Sequence, residues 1–203
     1  MLQNIVLNTR FQFIVLYTAG PEARSAAVAD VADAVRDGAL EAGLVALPVD
    51  DRGLDVSSVV WTMEAVYLST EPSHTSHPVT PADLASSQLI LPEARWGSAD
   101  PTRRQLLERT QKAGVSLVPV VEVESPASAL ALAARGVGDT IISLSLAQYL
   151  GYIGRLHWVS LDPPLYETFA FITRHDAHLS PATRALMQLA SRHLQQLQHG
   201  QAG

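Results

Sequence analysis

Asp55–Ser69 (DVSSVVWTMEAVYLS) runs for fifteen positions through mostly β-branched and aromatic side chains with no glycine or proline to interrupt it. A typical strand needs about five or six residues. A strand this long is expected to serve two sheets, which makes it the first candidate for a crossing between two lobes. The rest of the chain alternates strand and helix signals around it. Phe11–Tyr17 (FQFIVLY) is apolar without alternation, the mark of a strand covered on both faces. Residues 23–37 are alanine-rich, with Val28, Val31 and Val35 on one helical face before Gly38. Leu40–Pro48 follows as a second buried strand, so this opening reads as a βαβ unit with a right-handed crossover.

After a polar, proline-containing stretch at Thr70–Pro81, residues 82–87 form a short helical turn and Leu89–Pro92 a short strand. Asp100 and Pro101 open a helix that carries Leu106, Leu107 and Thr110 inward and stops at Gly114. SLVPVVEVE (residues 116–124) reads as a strand, and Ser125-Pro126 caps a helix ending at Gly136. TIISLSL is a further strand, and AQYLGYIG is weakly helical. HWVSLDPP (residues 157–164) is short, ETFAFITR (residues 167–174) is an alternating strand, and Ser180-Pro181 opens a closing helix with Leu186, Ala190, Leu194 and Leu197 on one stripe. Alternating β and α elements imply open, mostly parallel sheets.

Composition removes several function classes. The formal charge is −6 and the 14 Lys and Arg residues are scattered, so the chain lacks the basic footprint of a phosphate-neutralising surface. With 0 cysteines there is no disulfide, thiolate nucleophile or cysteine-ligated zinc, which is compatible with a reducing cytoplasm. The apolar run at Phe11–Tyr17 is about half the roughly 20 residues that span a bilayer, and no membrane partner is expected.

Catalytic and metal motifs do not assemble. His175, Asp176 and His178 tempt a metal reading but sit in a polar turn without a third ligand of fixed position. His74 and His77 are loop residues. Ser143–Ser145 lacks the glycines of a nucleophile elbow, and the Gly136–Asp139 turn lacks the Lys-Ser/Thr of a phosphate loop. Glu64 lies within the long strand, where a salt bridge or hydrogen bond outweighs a general-base role. No catalytic set, metal or cofactor is expected.

Four stretches in order resemble the effector-binding domain of LysR-type transcriptional regulators. VRDGALEAGLVALP resembles the family's helix end, glycine and strand, with Glu41 where the family usually has aspartate. VVWTMEAVYLSTEPSHTSHPVTPADLASSQLIL resembles its long crossing strand, with Glu64, His77-Pro78 and Leu84-Ala85. VEVESPASALALAARGVGDTIISLS resembles its Ala-x-Gly-x-Gly turn at Ala134, Gly136 and Gly138. RHDAHLSPATRALMQLASRHL resembles its closing helix. Together these cover about residues 28 to 198. The chain departs from the family in showing no basic helix-turn-helix before residue 11, in having room for only one βα unit before LEAGLVAL, and in placing Asp139-Thr140 where a proline is usual.

The resemblance implies an α/β fold of two Rossmann-like lobes, of the type II periplasmic-binding-protein kind, joined by two crossing segments near Glu64–Val66 and Asp162–Leu165. Lobe one would hold residues 1–65 and 163–203, and lobe two residues 66–162. It implies a small-molecule effector, carboxylate-bearing, in the interlobe cleft, and a homodimer or tetramer that meets DNA only through an N-terminal domain absent from this chain. In open α/β sheets ligands bind beyond the carboxyl ends of strands, where helix N-termini offer free N–H groups. Thr18, Ala19 and Gly20 follow the first strand. Arg95, Trp96, Gly97 and Ser98 precede the helix at Pro101, and Arg95 could take a carboxylate bidentately. Ser125 precedes the next helix, where its plain role is an N-cap. Asp139 and Thr140 in the glycine turn are weaker candidates. The rivals are a free-standing solute-binding protein of the same fold and a small α/β enzyme.

Overall fold

The computed structural model describes residues 14–15, 28–92, 94 and 100–200, with side chains for 30–92, 94 and 100–196. The chain divides into two compact units, residues Met1–Thr62 with Thr168–Gly203, and residues Met63–Glu167. Two strands run through both: β3 (Leu54–Ser69), continuous over 16 residues, and β7 (His157–Arg174), over 18. Among the described residues no helix is long and apolar enough to cross a membrane.

In the first unit α1 (Val28–Arg36) turns Val31, Ala32 and Val35 onto β2 (Ala42–Ala46), and Gly38 ends it with φ +75°. The helix packs so closely that a Cβ on Gly43 would stand 2.5 Å from Val31 Cγ1. Val45, Leu54 and Ile172 complete this core. β2 pairs antiparallel with the end of β7, Ala42 opposite Thr173 and Ala46 opposite Phe169. The first strand, β1 (Ile14–Val15), also pairs antiparallel with β2. This corrects the expected βαβ unit, whose two strands would be parallel. An unbroken apolar run records burial on two faces and carries no information about direction.

The closing helix α6 (Pro181–Gly200) is fixed at its start by Glu41. The Glu41 carboxylate accepts from Ser180 N at 3.0 Å and from the Thr183 hydroxyl. These bonds, the Thr183 hydroxyl foremost, hold the Glu41 carboxyl below its ordinary range. Leu194 is buried on the stripe read from the sequence; the side chain of Leu197 lies outside the described residues. A group with a depressed folded-state pKa contributes stability above its unfolded value and loses it as pH falls. Glu41→Ala should therefore cost about 1 to 2 kcal/mol at neutral pH, near the lower end of the roughly 1.5 to 3 kcal/mol for bonds to a charged group, because solvent screens this carboxylate. In urea unfolding that difference should vanish at acidic pH.

In the second unit the strand order is β3, β6 (Asp139–Ser143), β4 (Leu89–Leu91), β5 (Val121–Glu122). β3 and β6 are antiparallel, with Leu68 opposite Thr140, whereas β4 is parallel to both β6 and β5. Two of these three pairings are parallel, as expected, and the one between β3 and β6 makes the sheet mixed. Helix α2 (Pro81–Ser86) precedes β4, α3 (Pro101–Lys112) leads from β4 to β5, and α4 (Pro126–Ala133) leads from β5 to β6. Leu106 of α3 and Leu84 of α2 join Tyr67, Leu89, Leu91, Ile141 and Leu165 in the core. Leu107 is only half-buried.

Two strand assignments change. Of residues 116–124 only Val121 and Glu122 are strand, and Val118 and Val120 are 72% and 55% exposed. At the end of the strand order these valines meet no cover, and Pro119 has no N–H for a ladder. Residues 157–174, read as a short segment ending at Pro164 and an alternating strand from Glu167, form one strand. The two prolines are exposed, and their carbonyls accept from the Arg109 guanidinium. A short helix, α5 (Leu144–Tyr149), follows β6.

Candidate ligand-binding site

Because β4 and β5 are parallel and each is followed by a helix, the N-terminal ends of α3 and α4 both lie at the carboxyl ends of these strands. There, free backbone N–H groups and the positive ends of the helix dipoles favour an anion. The caps are built as the sequence predicts. Asp100 Oδ1 accepts from Arg103 N at 2.8 Å, and Ser125 Oγ accepts from Ser128 N at 3.2 Å. Arg103 ties the strand ends together, donating to Glu122 Oε2 at 2.9 Å and lying 3.4 Å from Pro92 O. Its side chain is only 11% exposed.

A carboxyl that the sequence reading passed over stands here as well. Glu167, half-buried on β7, accepts a hydrogen bond from the Thr102 hydroxyl in the first turn of α3. Burial pushes Glu167 up to about 7; the Thr102 bond opposes this and the Asp100 charge adds to it. Burial raises Asp100 too, against the Arg103 N–H. The two helix ends therefore differ. The α3 end already faces two carboxyl groups, whereas the cap of α4 is the neutral Ser125. An anion arriving at α3 favours the protonated form of Glu167, a step that the neutral Ser125 cap does not impose at α4.

Of the residues singled out from the sequence, Ser125 is placed at this end of the sheet as an N-cap. Thr18, Ala19, Gly20, Arg95, Trp96, Gly97 and Ser98 lie outside the described residues. Asp139 and Thr140 begin β6, at the opposite end of the parallel strands. Thr140 Oγ1 donates to Ile90 O at 2.8 Å and is a packing residue. His175 pairs with Asp55 at 2.8 Å, and no group of three metal-ligating side chains forms among the described residues. Ser143 caps α5 by accepting from Leu146 N at 3.3 Å. Glu64 is half-buried, and its side chain makes no hydrogen bond or ion pair among the described residues, so neither the salt bridge nor the hydrogen bond expected for it is seen there. Glu167 could have been noticed as the one charge among the alternating apolar residues of ETFAFIT; nothing in its spacing signals Thr102.

The sequence profile of the LysR substrate binding domain matches residues 22–195. No curated protein sequence matches the chain. Among solved structures, the effector binding domain of QuiR in complex with shikimate resembles it over 84% of this chain and 79% of that one, with 14% identity and a TM-score of 0.67. The Synechocystis PCC6803 CcmR regulatory domain in complex with 2-PG does so over 82% and 79%, with 14% identity and a TM-score of 0.70. The BenM effector binding domain with its effector benzoate does so over 86% and 78%, with 18% identity and a TM-score of 0.67. The fold is that of these domains, the type II periplasmic-binding-protein-like α/β fold expected from the sequence.

Proposed function

We propose, since the chain belongs to the LysR substrate binding domain family, that it is the effector-sensing part of a transcriptional regulator and recognises a small carboxylate-bearing molecule. The observation that carries this reading is the convergence of the α3 and α4 N-terminal ends at the carboxyl ends of β4 and β5. Shikimate and benzoate, found in the QuiR and BenM domains, are both small acids, and a pair of helix ends suits that chemistry. Arg95 pairs with the carboxylate, Trp96 supplies an apolar wall, and Gly97, Ser98 and Ser125 donate hydrogen bonds. Thr18, Ala19 and Gly20 complete the set of ligand contacts. The two lobes are residues 1–65 with 163–203, and residues 66–162, which bear α3 and α4.

Sensing follows if the ligand binds two lobe arrangements with different affinity, which bounds how far it can shift them. The domain acts in the cytoplasm as a homodimer or tetramer, and DNA is met through a separate N-terminal domain. No chemical step is required of it. A free-standing solute-binding protein would share the site, and the coding sequence upstream of Met1 separates the two readings.

The test is a thermal-shift series with shikimate, benzoate and related acids. A ligand at about 100 times its dissociation constant adds roughly 2.7 kcal/mol. Arg95→Ala should abolish the shift given by the best acid. Ser125→Ala should lower the unliganded stability by about 1 kcal/mol through the lost cap and reduce the shift further. An acid whose full shift survives Arg95→Ala removes Arg95 from the site. Shifts absent with every acid overturn the proposal.

A further inference from the structure

At the opposite end of the parallel strands the second unit holds a cavity of about 570 Å³, within the usual size range of small-ligand pockets. It is reached from Gln88 just before β4, from Gly136 to Asp139 leading into β6, and from Thr70 and Glu71 just after β3. The loops of the proposed effector site follow the carboxyl ends of β4 and β5, so the two places are separated by the length of the strands. The lining includes Glu71, Asp83 and Asp139 and the imidazoles of His74 and His77, with neither lysine nor arginine.

Asp139 sets the chemistry of this cavity. Its side chain is only 7% exposed, and it belongs to the strand start that pairs β6 with β4. The Tyr67 hydroxyl donates to Oδ2 at 2.5 Å, and His74 Nδ1 lies 3.0 Å from the same oxygen. Burial, with the Asp139 charge, pushes the Tyr67 phenol well above its ordinary value, so it remains a donor. Oδ1 takes no hydrogen bond from any described residue, yet it is not sealed off. An oxygen of a largely buried carboxylate that solvent still reaches can exchange its water for a donor, and a charged donor answers it best. No three of the described His, Asp and Glu side chains come together to hold a metal ion. An organic cation brings its own donors and needs no such geometry.

We propose that this cavity is a second ligand site, for a small organic amine whose ammonium group binds Asp139 Oδ1 while Glu71 adds a longer-range attraction. It is independent of the acid site and takes ligands of opposite charge. A domain with both sites responds to two chemical signals.

Putrescine is the probe, with succinate and glycerol as anionic and neutral controls, followed by amide NMR and calorimetry on the whole chain. Putrescine is expected to move the amides of Thr70, Gln88, Gly136 and Gly138, and neither control should do so. Asp139→Asn should weaken it about tenfold, as for loss of a buried charge-assisted bond. Glu71→Gln, at an exposed position and harmless to folding, should weaken it roughly twofold to threefold. Asp37→Asn changes the net charge equally in the other unit and should have no effect. The proposal is overturned if putrescine leaves those amides unmoved, if glycerol binds as well, or if Glu71→Gln and Asp37→Asn weaken it alike. A folded Asp139→Asn that binds putrescine like the wild type overturns it too. None of these outcomes bears on the acids, whose binding Arg95 reports.

Discussion

Gly138→Ala will lower the stability of the protein by about 3 kcal/mol, the upper range for overpacking a close-packed site. An added Cβ would stand 2.3 Å from the carbonyl oxygen of Gln88 and 3.3 Å from both Gln88 C and Ile90 Cγ1. The nearest obstacle is backbone and cannot rotate away. Moving it means breaking the bond from Asp139 N to Gln88 O, now 2.9 Å, with which β6 joins β4. For a chain of this size the loss corresponds to a melting temperature lower by roughly 6 to 12 °C. Gly151→Ala is the control. That glycine has φ +73° with nothing within 4 Å of a Cβ, so only the left-handed backbone resists, at about 1 kcal/mol. Equal effects at the two positions would show that the contact with Gln88 does not govern the strand start.

The second large effect is a pH dependence carried by Glu167. Its folded-state value, raised from 4.5 to about 7, means that the folded protein binds the proton more tightly than the unfolded chain does. Its contribution to stability is present in full below the unfolded value and is lost as pH rises through about 7. At ~1.4 kcal/mol per pKa unit the ceiling on this loss is ~3 kcal/mol. Glu167→Gln keeps an acceptor for the Thr102 hydroxyl and removes the titration. The variant should equal the wild type in urea unfolding at pH values near the ordinary glutamate range and exceed it by ~1 to 3 kcal/mol under mildly alkaline conditions. Taking the difference cancels the histidines, including His175, which the Asp55 bond raises. Parallel stability curves for the two proteins would place the Glu167 carboxyl in water. The same titration predicts that a small acid binds more tightly below neutral pH than above it, because a protonated Glu167 no longer repels the ligand.

How far the sequence disclosed the molecule depends on what each residue pattern records. Asp55–Ser69 was legible as one long strand because neither glycine nor proline interrupts it. The caps at Asp100 and Ser125 were legible because each precedes proline at the start of a helix. Strand direction was not. The apolar runs of β1 and β2 say that both are covered and nothing of their direction, which is antiparallel. Val118, Pro119 and Val120 imitate a strand in composition, but they stand where no neighbouring element covers them. Pro163 and Pro164 lie within β7 and do not end it.

The candidate site was legible only at the level of elements. That helix starts follow the parallel strands could be read from order alone, whereas the meeting of Thr102 with Glu167, 65 residues apart, depends on how β7 lies against α3. The cluster of Tyr67, His74 and Asp139 is of the same kind, joining the end of one strand to the start of another. Asp139 was visible as a departure from the family's turn, and its two partners were not.

The account's central claim is that a small acid is held at the N-terminal ends of α3 and α4. Amide hydrogen exchange, with and without the acid that gives the largest thermal shift, tests it most directly. Slowed exchange at Thr102 and Ala127, which follow the prolines that open the two helices, is the predicted result; Arg103 N and Ser128 N are already taken by the caps at Asp100 and Ser125. Protection that spares both helix starts and appears elsewhere in the chain would contradict it.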